Sequence, residues 1–154
     1  MEIILAYIGI AILTGGAFFG SALGVTICGK ATIAAMKKNP NAFGVYIPLS
    51  ALPSSQGLYG FVGYIMLQKF LVPEITTLQA WAIFFIGIMM AITCIYSAIR
   101  QAQVCAHGIV ATADGFDVFA ATMVMAVFPE LYAILSLLVT ILVAGSIGPI
   151  GGTI

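Results

Sequence analysis

One carboxylate in this chain stands where a carboxylate is costly. Glu130 follows an apolar run over 123–128 and precedes another over 131–139, whereas every other acid lies at a segment end or in a turn. Ionisable groups inside a membrane-length helix are expensive and are functional by default. The bland alternative is a structural ion pair, or a protonated carboxyl in a helix contact. Lys30 and Arg100 read as nearer one end of their segments, which leaves Glu130 without a basic partner at its depth. Desolvation disfavours the bare anion, so such a group holds a proton or a neutralising cation. Leu52 and Gln56 are spaced i, i+4, as are Ser55 and Tyr59, which puts all of them on one broad helix face. Pro48 and Pro53 each remove one helical hydrogen bond, and the carbonyls so exposed need a partner in lipid. Gln101 adds an amide oxygen. Singly, Gln56 and Gln101 read as interhelical hydrogen bonds worth about 1 kcal/mol. Together the set offers hydroxyl, amide, carbonyl and carboxylate oxygens, the ligands a hard cation prefers. A proton needs only the carboxyl and one acceptor, so the surplus of oxygens points to Na+ over H+.

The elements that must position these residues follow from composition. The chain has 154 residues, 62 % hydrophobic and 6 % charged, with a mean hydropathy of +1.19. A soluble domain carries about 25 % charge, and disorder needs low hydrophobicity with high net charge; both are excluded. Five basic and five acidic residues cancel, which argues against a nucleic-acid partner or a polybasic membrane-surface role. At roughly 20 residues per span there is room for about four spans and no soluble catalytic domain. The expected fold is therefore an all-α membrane protein of four transmembrane helices, over about 3–36, 45–70, 78–111 and 118–145, with a glycine-rich tail. Lys37-Lys38-Asn39-Pro40-Asn41, Val72-Pro73-Glu74 and Asp114-Gly115-Phe116-Asp117 separate them. Thr76 to Gln79 reads as a capping box for the third. The first and third segments exceed a bilayer's need and project on the side of loops one and three. Lys30, Lys37, Lys38 and Arg100 lie toward that side and Lys69 alone toward the other. The positive-inside rule then puts those loops in the cytoplasm and both termini outside. The opening Met1-Glu2 lacks the positive charge of a secretory signal, so the first run reads as a retained helix.

The halves resemble each other. Ile27-Cys28-Gly29-Lys30 answers Val104-Cys105-Ala106-His107, and Ser55-Gln56-Gly57-Leu58-Tyr59 answers Phe128-Pro129-Glu130-Leu131-Tyr132. The chain reads as a duplicated helical hairpin, 1–72 and 73–154, with its symmetry axis along the membrane normal. Small residues recur as Gly16, Gly20, Gly24, Cys28 and as Gly87, Ala91, Cys94, Ala98, Ala102, Ala106. Such stripes let backbones approach closely in lipid and suit the tight inner layer of a ring, with the second and fourth segments outside. Cys28, Cys94 and Cys105 lack CxxC spacing and read as small packing residues. His107 reads as an interface or helix-end residue, Asp114 and Asp117 as turn and cap residues.

The stretch 52–61, Leu-Pro-Ser-Ser-Gln-Gly-Leu-Tyr-Gly-Phe, resembles the second helix of the proteolipid of V/A-type rotary ATPases. Phe128-Pro129-Glu130-Leu131-Tyr132-Ala133-Ile134-Leu135 resembles its fourth helix, and Gly20-Ser21-Ala22-Leu23-Gly24-Val25 extends the match across nearly the whole chain. The plan agrees with the bacterial four-helix type of this proteolipid, the K type. The resemblance implies identical copies in a ring within the bacterial cell membrane. That ring would turn against a stator partner of the a/I type, with central-stalk proteins and membrane lipid as further partners. It implies that Na+ is held by the Leu52 carbonyl, the Ser55 hydroxyl, Gln56, Gln101 and Glu130, with Tyr59 hydrogen-bonded to the glutamate. Ser55 departs from the threonine that sodium-type members often carry, keeping the hydroxyl and losing a methyl. Gly57 stands where the first repeat would carry a carboxylate, which implies one ion per chain. ATP chemistry would belong to other proteins of the complex, since no phosphate loop is present. The rival readings are a proton-coupled proteolipid of the same fold, a small secondary transporter exchanging through Glu130, and a four-helix membrane enzyme. The last lacks a basic or nucleophilic cluster.

Overall fold

The computed structural model describes residues 1–148; most of the expected glycine-rich tail lies outside them. Helix α1 (Glu2–Lys38) leads through a 3-10 turn at Pro40–Ala42 into α2 (Phe43–Ala51). A second 3-10 turn at Leu52–Ser54 joins α2 to α3 (Ser55–Leu67), and a third closes that path at Gln68–Phe70. Then come α4 (Thr77–Ala113) and α5 (Phe119–Ser146). Three helices, α1, α4 and α5, are each long and apolar enough to cross a membrane unaided. The fourth crossing is composite. From Phe43 to Leu67 the chain is helical throughout and rises roughly 37 Å, more than a ~30 Å hydrocarbon core. Pro48 sits inside α2 without ending it, whereas Pro53 falls in the 3-10 turn between α2 and α3; neither has an N–H to give its helix, as the sequence suggests.

Helices α1 and α4 have 37 residues each, about 56 Å at 1.5 Å per residue. They lie side by side and parallel. Gly9 backs onto the Phe84 backbone, Gly16 onto Ala91, Gly20 onto Cys94 and Ile95, and Gly24 onto Ala98. The Cys28 thiol donates to the Ala102 carbonyl at 3.4 Å across a separation of 74 residues. At the end of the seam Lys38 Nζ meets Asp114 Oδ1 at 2.6 Å across a separation of 76. A near-constant offset between parallel partners is the duplication seen in sequence, now in three dimensions. The expected stripe differs in one place: Cys105 is fully buried and continues the seam, while Ala106 is only half-buried. Outside the seam, α3 packs on α1 where Gly60 meets Ala17 and Gly57 meets Ser21.

The apolar core is in two parts. One, toward the termini, gathers Leu13, Leu67, Phe70, Met90, Cys94 and Ala133; the other gathers Cys28, Tyr46, Leu49, Ala102, Ile109 and Ala126. Between them buried Ser21, Gln56, Ser97 and Gln101 form a polar layer.

The capping box at Thr76 is present. Its hydroxyl accepts from the Gln79 N–H at 3.3 Å, and the Gln79 side chain accepts from the Thr76 N–H at 3.0 Å. Replacing Thr76 with alanine should cost about 1 kcal/mol. The check is the unfolding midpoint of the detergent-purified protein, and an unmoved midpoint would show that the box contributes nothing.

Candidate functional site

The polar layer is built by breaks in helix regularity. Pro53 has no N–H, so the chain tightens into a 3-10 turn, and the Ser55 N–H and hydroxyl both reach the Leu52 carbonyl. The Gly57 N–H donates to Ser21 Oγ at 2.7 Å, which ties the start of α3 to α1. On α5, Pro129 is tolerated inside the helix and places Glu130 directly after a missing donor.

Glu130 is half-buried and accepts on both oxygens. Tyr59 OH donates to Oε1 at 2.7 Å, and Gln101 Nε2 donates to Oε2 at 2.8 Å. The same Gln101 nitrogen donates to the Ala126 carbonyl at 3.1 Å. Gln56, fully buried, donates through Nε2 to Gln101 Oε1 at 2.9 Å and to Ser97 Oγ at 3.1 Å. Ser97 directs its own proton to the Pro129 carbonyl at 2.8 Å. Donors therefore converge on the carboxylate from α3 and α4. Among the described residues Gln56 Oε1 is buried and accepts no hydrogen bond.

The structure thus joins Gln56, Tyr59, Gln101 and Glu130 into one network. Leu52 and Ser55 lie beside it on the 3-10 turn, bonded to each other at 3.1 Å. A hydroxyl that donates to a carbonyl keeps its lone pairs for another partner. Sequence reasoning missed Ser97 and Ser21. The spacing of Ser97 and Gln101, one helical turn apart, was the available signal for the first. Arg100 lies closer to the layer than its sequence position suggested. The bonds from Gln101 to Ala126 and Glu130 set the register of α4 against α5, and Arg100, one residue earlier, lies within about 1.5 Å of that height. Its guanidinium turns away, 4.8 Å from the Tyr96 ring centroid and 3.1 Å from Gln103 Oε1. It lines an outer groove of about 560 Å³ with Phe128, Pro129 and Tyr132. Among the described residues Glu130 has no ion-pair partner.

This arrangement can present acceptor oxygens to a small desolvated cation or hold a proton on Glu130. The duplication decides what kind of protein carries it. Residues 8–67 match the family of the ATP synthase C subunit, and residues 84–143 match it again. The chain belongs to that family. Its members are the proteolipids of rotary ATPases, which are non-catalytic. One relative is the A-type ATP synthase subunit K of Methanocaldococcus jannaschii, 36 % identical over 141 residues and 91 % of this chain. The chain spans 61 % of that relative's length. Another is the V-type sodium ATPase subunit K of Enterococcus hirae, 31 % identical over 139 residues, 90 % of this chain and 89 % of the relative. As a rotary-ATPase proteolipid with two repeats, this chain keeps Glu130 in the second repeat and Gly57 in the first.

Proposed function

We propose that this chain is the rotor-ring proteolipid of the membrane sector of a V-type ATPase and carries Na+ on Glu130. The observation that supports Na+ most is the open acceptor Gln56 Oε1, buried in a network whose donors are otherwise committed. The ligands are the Glu130 carboxylate, Gln56, Gln101, the Ser55 hydroxyl and the Leu52 carbonyl, with Tyr59 orienting the carboxylate. The sodium ATPase protein among the relatives is in keeping with this choice.

The mechanism follows from charge. A bare carboxylate in lipid is prohibitive, whereas a carboxylate neutralised by its ion can face lipid and move past it. Identical copies, each a pair of hairpins over 1–72 and 73–154, close into a ring in a bacterial cell membrane. Loops one and three face the cytoplasm toward the central stalk, and both termini lie outside. At the stator an arginine of that partner stabilises the empty carboxylate while half-channels load and unload it. Rotation couples to transfer because only that boundary tolerates the naked charge.

Carbodiimide labelling of the detergent-purified ring tests this. The reagent attacks protonated buried carboxyls, so labelling of Glu130 should rise as pH falls. Millimolar Na+ should suppress it by competing with the proton. Labelling that follows pH and ignores Na+ would replace this reading with proton coupling. No labelling of Glu130 under any condition would remove it as the exchange site.

A further inference from the structure

Resting on the reading of Gln56 and Glu130 as ion ligands, we propose that Ser97 is a positioning residue that sets the preference of the site for Na+ over H+. It does so by fixing which end of the Gln56 amide faces the ion. The last torsion of a glutamine is broad and nearly two-fold, so burial alone does not decide whether its oxygen or its nitrogen is presented. Here two neighbours decide it. Gln101 Nε2 is committed to Glu130 and to the Ala126 carbonyl, so only Gln101 Oε1 is left to face Gln56, and it accepts at 2.9 Å. The Ser97 proton is committed to the Pro129 carbonyl at 2.8 Å, so its oxygen accepts from Gln56 at 3.1 Å. Turning the amide over would set Gln56 Oε1 against two acceptors at those distances. The orientation that remains leaves Gln56 Oε1 open and buried.

Ser97 is 3 % exposed and links three helices at the site. It holds the Gln56 amide of α3 from α4 and grips the peptide unit of α5 that leads into Glu130. Loss of the hydroxyl leaves Gln56 with one constraint in place of two. The amide then samples orientations that withdraw its oxygen. Proton binding uses the Glu130 carboxyl and does not need that oxygen. A positioning role therefore separates the two ions, whereas simple helix-to-helix adhesion would weaken the protein without separating them.

The test is carbodiimide labelling of the purified ring across pH, with and without NaCl, in wild type, Ser97→Ala, Ser97→Cys and Ser97→Thr. Ser97→Ala should raise the Na+ concentration for half-protection about five- to tenfold, the effect of one lost hydrogen bond. Its pH profile without Na+ should match wild type. Ser97→Cys, close in shape and a weak acceptor, should shift in the same direction and serves if the alanine variant does not assemble. Ser97→Thr keeps the hydroxyl and should restore protection. Unchanged half-protection in both the alanine and cysteine variants would overturn the role of Ser97 alone. So would an equal shift of the Na+ response and the Na+-free pH profile. Absence of Na+ protection in wild type would instead bring down the sodium reading, and this inference with it.

Discussion

Glu130→Gln is expected to insert and assemble normally and to carry no ions. Glutamine matches glutamate in shape, and its carbonyl still accepts from Tyr59, whose bond to Oε1 is 2.7 Å in the native site. The amide nitrogen then sits near Gln101 Nε2, donor against donor, which a turn of the side chain relieves. What is lost is the ability to bear a charge. A permanently neutral group cannot bind Na+ as a counter-ion, cannot release a proton, and would gain nothing at the stator arginine of the proposed mechanism. The expected loss of ATP-driven Na+ uptake in vesicles holding the reconstituted complex is complete. Carbodiimide labelling should vanish with it, while ring assembly in detergent is retained. Coupled uptake by this variant would end the assignment of Glu130.

The second large effect belongs to the seam. A Cβ at Gly20 would come 2.7 Å from Ile95 Cα and 3.1 Å from the Cys94 carbonyl oxygen. Both are backbone atoms, so no side chain can swing aside. Gly20→Ala must push α1 and α4 apart along a contact that extends over most of their length. Overpacking of this kind costs about 1–3 kcal/mol, and the backbone obstacle puts Gly20 at the upper end. Among the described residues a Cβ at Gly29 would meet nothing within 4 Å, so Gly29→Ala serves as the control and should hold stability or raise it slightly through helix propensity. Unfolding midpoints of the two variants in the same detergent decide the matter. Equal midpoints would mean that the seam is loose.

The fold was legible because lipid simplifies the reading. With ten charged residues in the chain, each interruption of apolar sequence marks a turn, and the four spans fell within a few residues of the helices observed. The seam was legible for the same reason, since small residues at four-residue spacing have few other uses in lipid. Its far end was misread because Ala106 and Cys105 are adjacent and both small, and only packing chooses between them. Glu130, Gln56, Gln101 and Tyr59 could be named because polar groups in apolar runs are conspicuous. Their bonding order was not legible: nothing in the spacing says that Gln56 donates to Gln101 and Gln101 to Glu130. Ser97 escaped because serine is common in membrane helices and often bonds its own backbone. The height of Arg100 was misjudged because segment ends are soft in sequence and only the register of α4 against α5 fixes depth.

The glycine at position 57 has a mechanical meaning. Its N–H is held by Ser21, and α3 passes there with no charge to load. On the proposed reading of Glu130, every second hairpin in a wheel of such chains would be a blank tooth. A wheel of the same circumference with a carboxylate on each hairpin would meet twice as many stops per revolution. With one ion per chain, as proposed above, such a wheel would run in a low gear: fewer ions would cross per turn, so the same torque would act on each ion over a longer arc and could drive it against a steeper gradient.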